Sequence, residues 1–204
     1  RIYAATEDND FLIIELGGTV GDIEGLPFME AIRSIRHELP KTNTMNIHLS
    51  LVPYIKAAGE LKTKPTQHSV QELRRIGITP HMLVCRTERE LPKALKDKLA
   101  LACDIDRNAV IEAGDAQSIY QVPLQFIKEG ILTPLSEHFN IKIKPNMEKW
   151  DTLVKNILLP QGEVTIAFVG KYLDLKESYK SLIEALIHAG AHLSTKVNIH
   201  WCDS

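Results

Sequence analysis

Phe11-Leu12-Ile13-Ile14-Glu15-Leu16-Gly17-Gly18 is an apolar run interrupted only by Glu15 and closed by two glycines. A strand covered on both faces reads as an unbroken apolar run rather than an alternating one. The pattern therefore predicts a buried strand over residues 11–16 that leaves a parallel sheet into a loop. The loop continues through Thr19-Val20-Gly21-Asp22-Ile23-Glu24. Beyond it Phe28, Ala31, Ile32, Ile35 and Leu39 recur every three or four residues and so share one helix face. Pro27 suits the first turn of that helix, where no backbone donor is lost.

Outward from this stretch the same alternation repeats. Residues 45–52 predict a second strand, with Asn46, His48 and Ser50 at period two, so that one face looks onto a polar site. Residues 62–67 form a polar loop with Pro65 at its middle. A helix carrying Val70, Leu73 and Ile76 follows and stops at Gly77. Residues 82–85 are a third strand, 91–103 a helix and 109–111 a fourth strand. Residues 118–139 hold two helices interrupted at Pro123 and Gly130. After a break at residues 142–145, Trp150, Leu153, Val154 and Ile157 make one helical stripe. After a second break at Pro160-Gln161-Gly162, the order restarts with a strand over 164–169, a helix over 176–189 and a strand over 197–201.

Strands alternating with helices predict a parallel α/β architecture. The restart divides the chain into residues 1–140, an interdomain linker with a helix over 141–162, and the opening of a second domain over 163–204. So short a second unit rarely folds without partners. It is expected to be the start of a larger domain or to dock on the first. The chain lacks an initial Met and is expected to be a piece of a longer protein.

Lys plus Arg number 24 against 26 Asp plus Glu, a net charge of −2 with a pI near 6.5, which excludes an electrostatic nucleic-acid binder. Hydrophobic residues at 44% and charged residues at 25% argue against long disorder. The apolar runs are far shorter than the ~20 residues of a membrane-spanning helix, and no secretory leader is visible. Cys85, Cys103 and Cys202 are widely spaced without a CxxC, so a zinc ribbon or thioredoxin motif is excluded; at this density a reducing cytoplasm rather than a disulfide framework is expected.

Two stretches carry candidate chemistry. A carboxylate at the carboxyl end of a buried parallel strand stands where α/β ligand crevices lie, and Glu15 has the position of an acid that holds Mg²⁺ in phosphoryl-transfer proteins. Asp22 and Glu24 add carboxylates nearby; the plain alternative is a solvated acidic loop. The second stretch, Lys62-Thr63-Lys64-Pro65-Thr66-Gln67, offers cations and neutral donors just before a helix start, which suits polyphosphate; the plain alternative is a solvated turn. A Walker A motif is absent. Gly170-Lys171 follows a strand, but Thr165 stands where the first glycine is required and Tyr172 where Ser or Thr is required. His188 and His192 lie four apart without an HExxH glutamate, and a polar helix end is the better reading than zinc. Cys85 and Cys103 read as buried structural cysteines rather than nucleophiles.

The run from Glu15 to Glu24 with Leu26-Pro27-Phe28-Met29-Glu30-Ala31-Ile32-Arg33 resembles the glutamine-hydrolysing CTP synthase family. So do His48-Leu49-Ser50-Leu51-Val52-Pro53-Tyr54, Gly59-Glu60, the stretch from Lys62 to Val70, Cys85-Arg86 and Asp115-Ala116-Gln117-Ser118-Ile119-Tyr120. The resemblance runs along the whole chain. It implies a P-loop-NTPase-like, dethiobiotin-synthetase-like parallel sheet, followed by the start of a class I glutamine amidotransferase domain. It also implies an ATP-dependent ligase of pyrimidine biosynthesis that turns UTP into CTP. ATP phosphorylates O4 of the uracil ring, and ammonia from glutamine displaces the phosphate.

By the same resemblance Glu15 is a Mg²⁺ ligand, and Asp22, Ile23 and Glu24 contact the inhibitory product CTP. Lys62, Thr63, Lys64, Pro65, Thr66 and Gln67, with Lys98, hold the UTP or CTP triphosphate. Gly114, Asp115 and Ala116 lie near the ATP adenine. The resemblance further implies activation by GTP, a homotetramer, and no nucleic-acid or membrane partner. The P-loop is expected before residue 1 and the glutaminase Cys, His and Glu after Ser204, so no catalytic residue is assigned and the piece alone is expected to be inactive. Two other readings stand beside this one: a non-catalytic nucleotide-binding or assembly module, and another synthetase of the P-loop superfamily.

Overall fold

The computed structural model describes residues 2–5, 9–173 and 175–204. Its elements in chain order are α1 (Leu26–Glu38), β1 (Ile47–Leu51), β2 (Tyr54–Ile55), β3 (Glu60–Leu61), α2 (Lys64–Arg75), β4 (Met82–Thr87) and α3 (Lys93–Cys103). There follow β5 (Val110–Gly114), α4 (Val122–Lys128), α5 (Leu132–Phe139), α6 (Glu148–Leu158), β6 (Gly162–Gly170), α7 (Lys180–His192) and β7 (Thr195–Asp203). The chain is α/β, with β1, β4 and β5 in one parallel sheet in the order β1-β4-β5.

β4 is central, and its first four residues are all buried, the unbroken apolar pattern of a strand covered on both faces. Leu83 and Cys85 point to a core with Val70 of α2 and Leu99 and Cys103 of α3. Met82 and Val84 point the other way, onto Ile111 and Ala113, with Phe126, Ile131 and Leu135 from the α4–α5 side packed against them. Helices therefore cover both faces. A third cluster, Met29 with Leu73 and Ile78, seats α1 against the end of α2. There Gly77 turns the chain with φ +87°, and a side chain at this position would meet Arg33 Cδ at 3.0 Å.

The expected strand over residues 11–16 does not form. These residues have no ladder partner among the described residues, and Phe11 and Ile13 are 60% and 93% exposed. An apolar run becomes a strand only where its backbone donors and acceptors meet a neighbouring strand, and the only ladder of β1 among the described residues runs to β4. Phe11 instead sets its ring edge-on to Phe139 at 5.5 Å, while Leu16 packs against the Met29 cluster.

Pro123 begins a helix rather than interrupting one, since it falls in the first turn of α4. Farther along, β6 and β7 pair in parallel over nine residues each, with α7 as their crossover. α6 packs on α7, where Asn156 Nδ2 donates to Ala191 O at 2.9 Å. No helix among the described residues is long and apolar enough to cross a membrane.

Candidate nucleotide site

The first turn of α2 is bolted to the carboxyl end of β1. Thr66, fully buried, donates its hydroxyl to Leu51 O at 3.1 Å and accepts from Ser50 Oγ at 3.0 Å. Val52 N–H then donates to Arg86 O at 2.8 Å, so the β1 exit stays beside the β4 exit. The polar stretch expected as a loop over residues 62–67 is thus mostly helix, because Lys64, Pro65, Thr66 and Gln67 already belong to α2. Pro65 suits this position, and the backbone donors of a first helical turn have no acceptor within the helix. They and the helix dipole favour an anion.

Cations stand at this helix start. Lys62 pairs with Glu60, and both are partly exposed. The hydrogen bond and charge of Lys62, with a further contribution from Lys98 of α3, hold the Glu60 carboxyl below its ordinary value. Lys98, exposed on α3, thus acts on the same acid only through its charge. Lys64 is exposed at the helix start. Gln67 Nε2 donates to Thr63 Oγ1 at 3.1 Å, and Thr63 is buried. The side chains of Thr63 and Thr66 thus serve the fold, which leaves Lys62 and Lys64 as the outward-facing cations of this turn.

The polar face expected on the second strand does not open onto a site. Asn46 donates through Nδ2 to Thr79 O at 3.1 Å, His48 Nε2 lies 2.9 Å from Ser69 Oγ, and Ser50 donates to Thr66. All three are spent on the seams to α2 and β4, and burial pulls the His48 imidazole below its ordinary pKa.

At the neighbouring strand ends, Arg86 Nη2 lies 2.6 Å from Asp115 Oδ1, and Arg86 Nη1 donates to Ala113 O at 3.1 Å. Gly114 closes β5, and Asp115 is exposed beyond it. A cavity of about 430 Å³ opens here, its lining including Glu88, Lys96, Glu112, Asp115 and Glu129. Lys96 Nζ lies 2.5 Å from Glu129 and 3.7 Å from Glu112. Arg86 was missed as a site candidate, although a charge just after a buried run carries the same signal that singled out Glu15.

The described hydrogen bonds and ion pairs join neither Glu15 nor residues 22–24 to the Lys62 group. Asp22 folds its loop on itself, accepting from Thr19 N–H at 3.1 Å, and Ile23 and Glu24 are exposed in the turn that follows. Glu15 is exposed, and among the described residues no group of three metal-ligating side chains occurs. A lone carboxylate fits one position on Mg²⁺, an ion that takes few protein ligands and completes its shell with water and phosphate oxygens. Cys85 and Cys103 are buried, and burial first of all pushes the Cys85 thiol up to about 12, so neither is a poised nucleophile. His188 Nε2 faces the Tyr120 hydroxyl.

The Lys62 helix start, Arg86 and Gly114-Asp115 thus stand at the carboxyl ends of β1, β4 and β5, the edge at which open α/β sheets bind ligands. Residues 1–141 match the family described as CTP synthase N-terminus. The chain belongs to that family. It is 66% identical along its whole length to a CTP synthase of Nautilia profundicola, covering 38% of that protein. It is 66% identical to one of Wolinella succinogenes, covering 37%, and 62% identical to one of Sulfurimonas denitrificans, covering 38%. The chain therefore spans less than two-fifths of the length of these CTP synthases.

Proposed function

We propose that this chain is part of an enzyme that aminates UTP to CTP at the expense of ATP, with ammonia drawn from glutamine. The observation that carries the reading is the placing of Lys62 and Lys64 at the α2 start, on the carboxyl edge of the sheet. Two cations at a helix start whose first backbone donors lack intrahelical acceptors suit a triphosphate, which requires charge neutralisation and several donors at once. In this reading Lys62, Lys64 and Lys98 hold the pyrimidine triphosphate, with Gln67 and Thr63 bracing the turn. Asp22, Ile23 and Glu24 meet CTP as inhibitor. Gly114, Asp115 and Ala116 take the ATP adenine, largely through backbone.

Mg²⁺, held in part by Glu15, supplies charge neutralisation at the transferring phosphate when bound. The residues on this chain bind and orient: they set the nucleotide on the sheet edge and neutralise its charge, so that the uracil O4 presents itself to the phosphate. Residues 163–204 open the glutamine amidotransferase part, and the parent assembles as a homotetramer activated by GTP.

The test is kinetic, in the full-length parent. Lys62→Ala removes one charge-assisted contact worth roughly 1.5–3 kcal/mol, so the KM for UTP and the inhibition constant for CTP rise together by about 10- to 150-fold. Both constants unchanged would leave the α2 start a solvated turn. Glu15→Ala abolishes CTP formation while leaving the circular dichroism spectrum intact; near-normal activity at limiting Mg²⁺ removes Glu15 from the metal. The 204-residue piece, given ATP, UTP, Mg²⁺ and ammonium, forms no CTP detectable by chromatography.

A further inference from the structure

Tyr120 sits in a short 3-10 turn, Ile119–Gln121, that follows Gly114-Asp115-Ala116 after two further residues. The turn is held from both ends: Tyr120 N–H donates to Ser118 Oγ at 3.3 Å, and Ser118 N–H donates to Gln121 Oε1 at 3.1 Å. From this fixed base Tyr120 reaches two other elements. Its carbonyl accepts the indole N–H of Trp150, in α6, at 2.7 Å. Its hydroxyl donates to Glu184 Oε2, in α7, at 2.6 Å and also meets His188 Nε2 one helical turn on. A phenol has one proton. With its hydroxyl hydrogen directed at Glu184, the Tyr120 oxygen accepts from His188, which must carry its hydrogen on Nε2. The same bond to Glu184, with burial, pushes the phenol up to about 12, so the donor is retained at any physiological pH.

The second unit is bound to α6 independently. Asn156 donates to Ala191 O, and Gln161 N–H donates to Ser194 O at 2.7 Å. α6, α7 and the β6–β7 pair therefore form one packed body, and Trp150, Glu184 and His188 bring that body to a single residue next to the nucleotide edge.

We propose that Tyr120 is a positioning residue that holds the β6–α7–β7 unit in register with the nucleotide edge of the β1-β4-β5 sheet, so that ammonia made on the second unit's side is delivered to the nucleotide. This rests on the reading under Proposed function. The chemistry itself does not pass through Tyr120; only the alignment of donor and acceptor halves does.

The experiment uses the full-length parent with Tyr120→Phe, which keeps the ring and the carbonyl bond to Trp150 but removes both hydroxyl contacts. Three rates are measured: CTP from ammonium, CTP from glutamine, and glutamate from glutamine. The expected result is a glutamine-driven CTP rate lowered at least about threefold, with the ammonium-driven rate and glutamate release within about twofold of the unmodified enzyme. Glu184→Ala reproduces the uncoupling, and Glu184→Gln, which keeps an acceptor, largely restores it. A glutamate-to-CTP ratio unchanged in both Tyr120→Phe and Glu184→Ala overturns the proposal, and so does a uniform fall of all three rates. If the unmodified parent makes no CTP, the proposed function fails, and backbone amide exchange decides the joint by itself. Tyr120→Phe is then expected to speed exchange in α6 and α7, and unchanged exchange there overturns it.

Discussion

Arg86 Nη2 stands 2.6 Å from Asp115 Oδ1, so that the guanidinium of one parallel strand end closes onto the carboxylate that follows the next. The two side chains are 49% and 59% exposed, which places the pair in water. Exposed pairs of this kind contribute about 0–1 kcal/mol. Arg86→Ala is therefore expected to lower stability by less than about 1 kcal/mol in urea denaturation. Under the proposed function the same change in the parent enzyme is expected to raise the KM for ATP with a smaller effect on kcat, because Arg86 stands beside Gly114-Asp115, the stretch proposed to take the adenine. A large loss of stability with an unchanged KM would reverse that assignment.

Thr66 presents the opposite case. Its hydroxyl is fully buried and makes two bonds, to Leu51 O and from Ser50 Oγ. Thr66→Val preserves the shape but leaves the Leu51 carbonyl and the part-buried Ser50 hydroxyl without this partner, at a cost of about 0.5–1.5 kcal/mol. Thr66→Ser restores most of it. The unfolding midpoints of the two variants check this, and equal midpoints would show that the bolt between α2 and β1 contributes nothing.

Gly190 is buried in the last turn of α7, where a Cβ would lie 2.4 Å from Thr195 O and 2.9 Å from Val197 Cγ2. Helix propensity alone makes Gly→Ala stabilising by about 1 kcal/mol. Here the obstacle is backbone of the adjoining strand, which cannot rotate away. Gly190→Ala is expected to destabilise the β6–α7–β7 unit by about 1–3 kcal/mol, with amide exchange faster in β7 and unchanged in β4. A gain in stability would show that the α7–β7 crossing is looser than this contact.

The elements that periodicity captured are those whose burial is settled locally. The stripe Val70, Leu73 and the run Met82-Leu83-Val84-Cys85 became α2 and β4, because each apolar residue found a core within the chain. Residues 11–16 carry the same kind of pattern and failed, because a strand also needs a neighbour and periodicity says nothing about that. Lys62 and Lys64 were legible as cations before a helix. That Thr66 was already spent on β1 was not, since a hydroxyl's partner 15 residues away leaves no mark on local sequence. Arg86 and Tyr120 were hidden for the same reason: their partners, Asp115, Trp150 and Glu184, lie in other elements.

His81 gives the pH dependence. Its Nδ1 accepts Asn46 N–H at 3.0 Å, its Nε2 lies 3.3 Å from Arg36 Nη2, and its ring meets that of His138 at 4.6 Å. Burial first, then the charges of His138 and Arg36, hold the imidazole down at about 4, against an ordinary value near 6.5. Protonation would also remove the acceptor that Asn46 uses at the mouth of the β1–β4 ladder. The native state is thus the one that binds fewer protons, and stability rises with pH wherever the unfolded chain is protonated and the native chain is not. The contribution is fully present above about pH 6.5 and is lost as the pH falls towards about 4, with the buried His48 acting in the same direction. Allowing for partial solvent access, His81 accounts for about 2 kcal/mol over that window. Urea denaturation at about pH 7.5 and about pH 4.5 measures it. His81→Asn keeps an acceptor near the Nδ1 position and cannot titrate, so the variant is expected to lose much of the slope while staying folded at neutral pH. An unchanged slope would place the titration elsewhere.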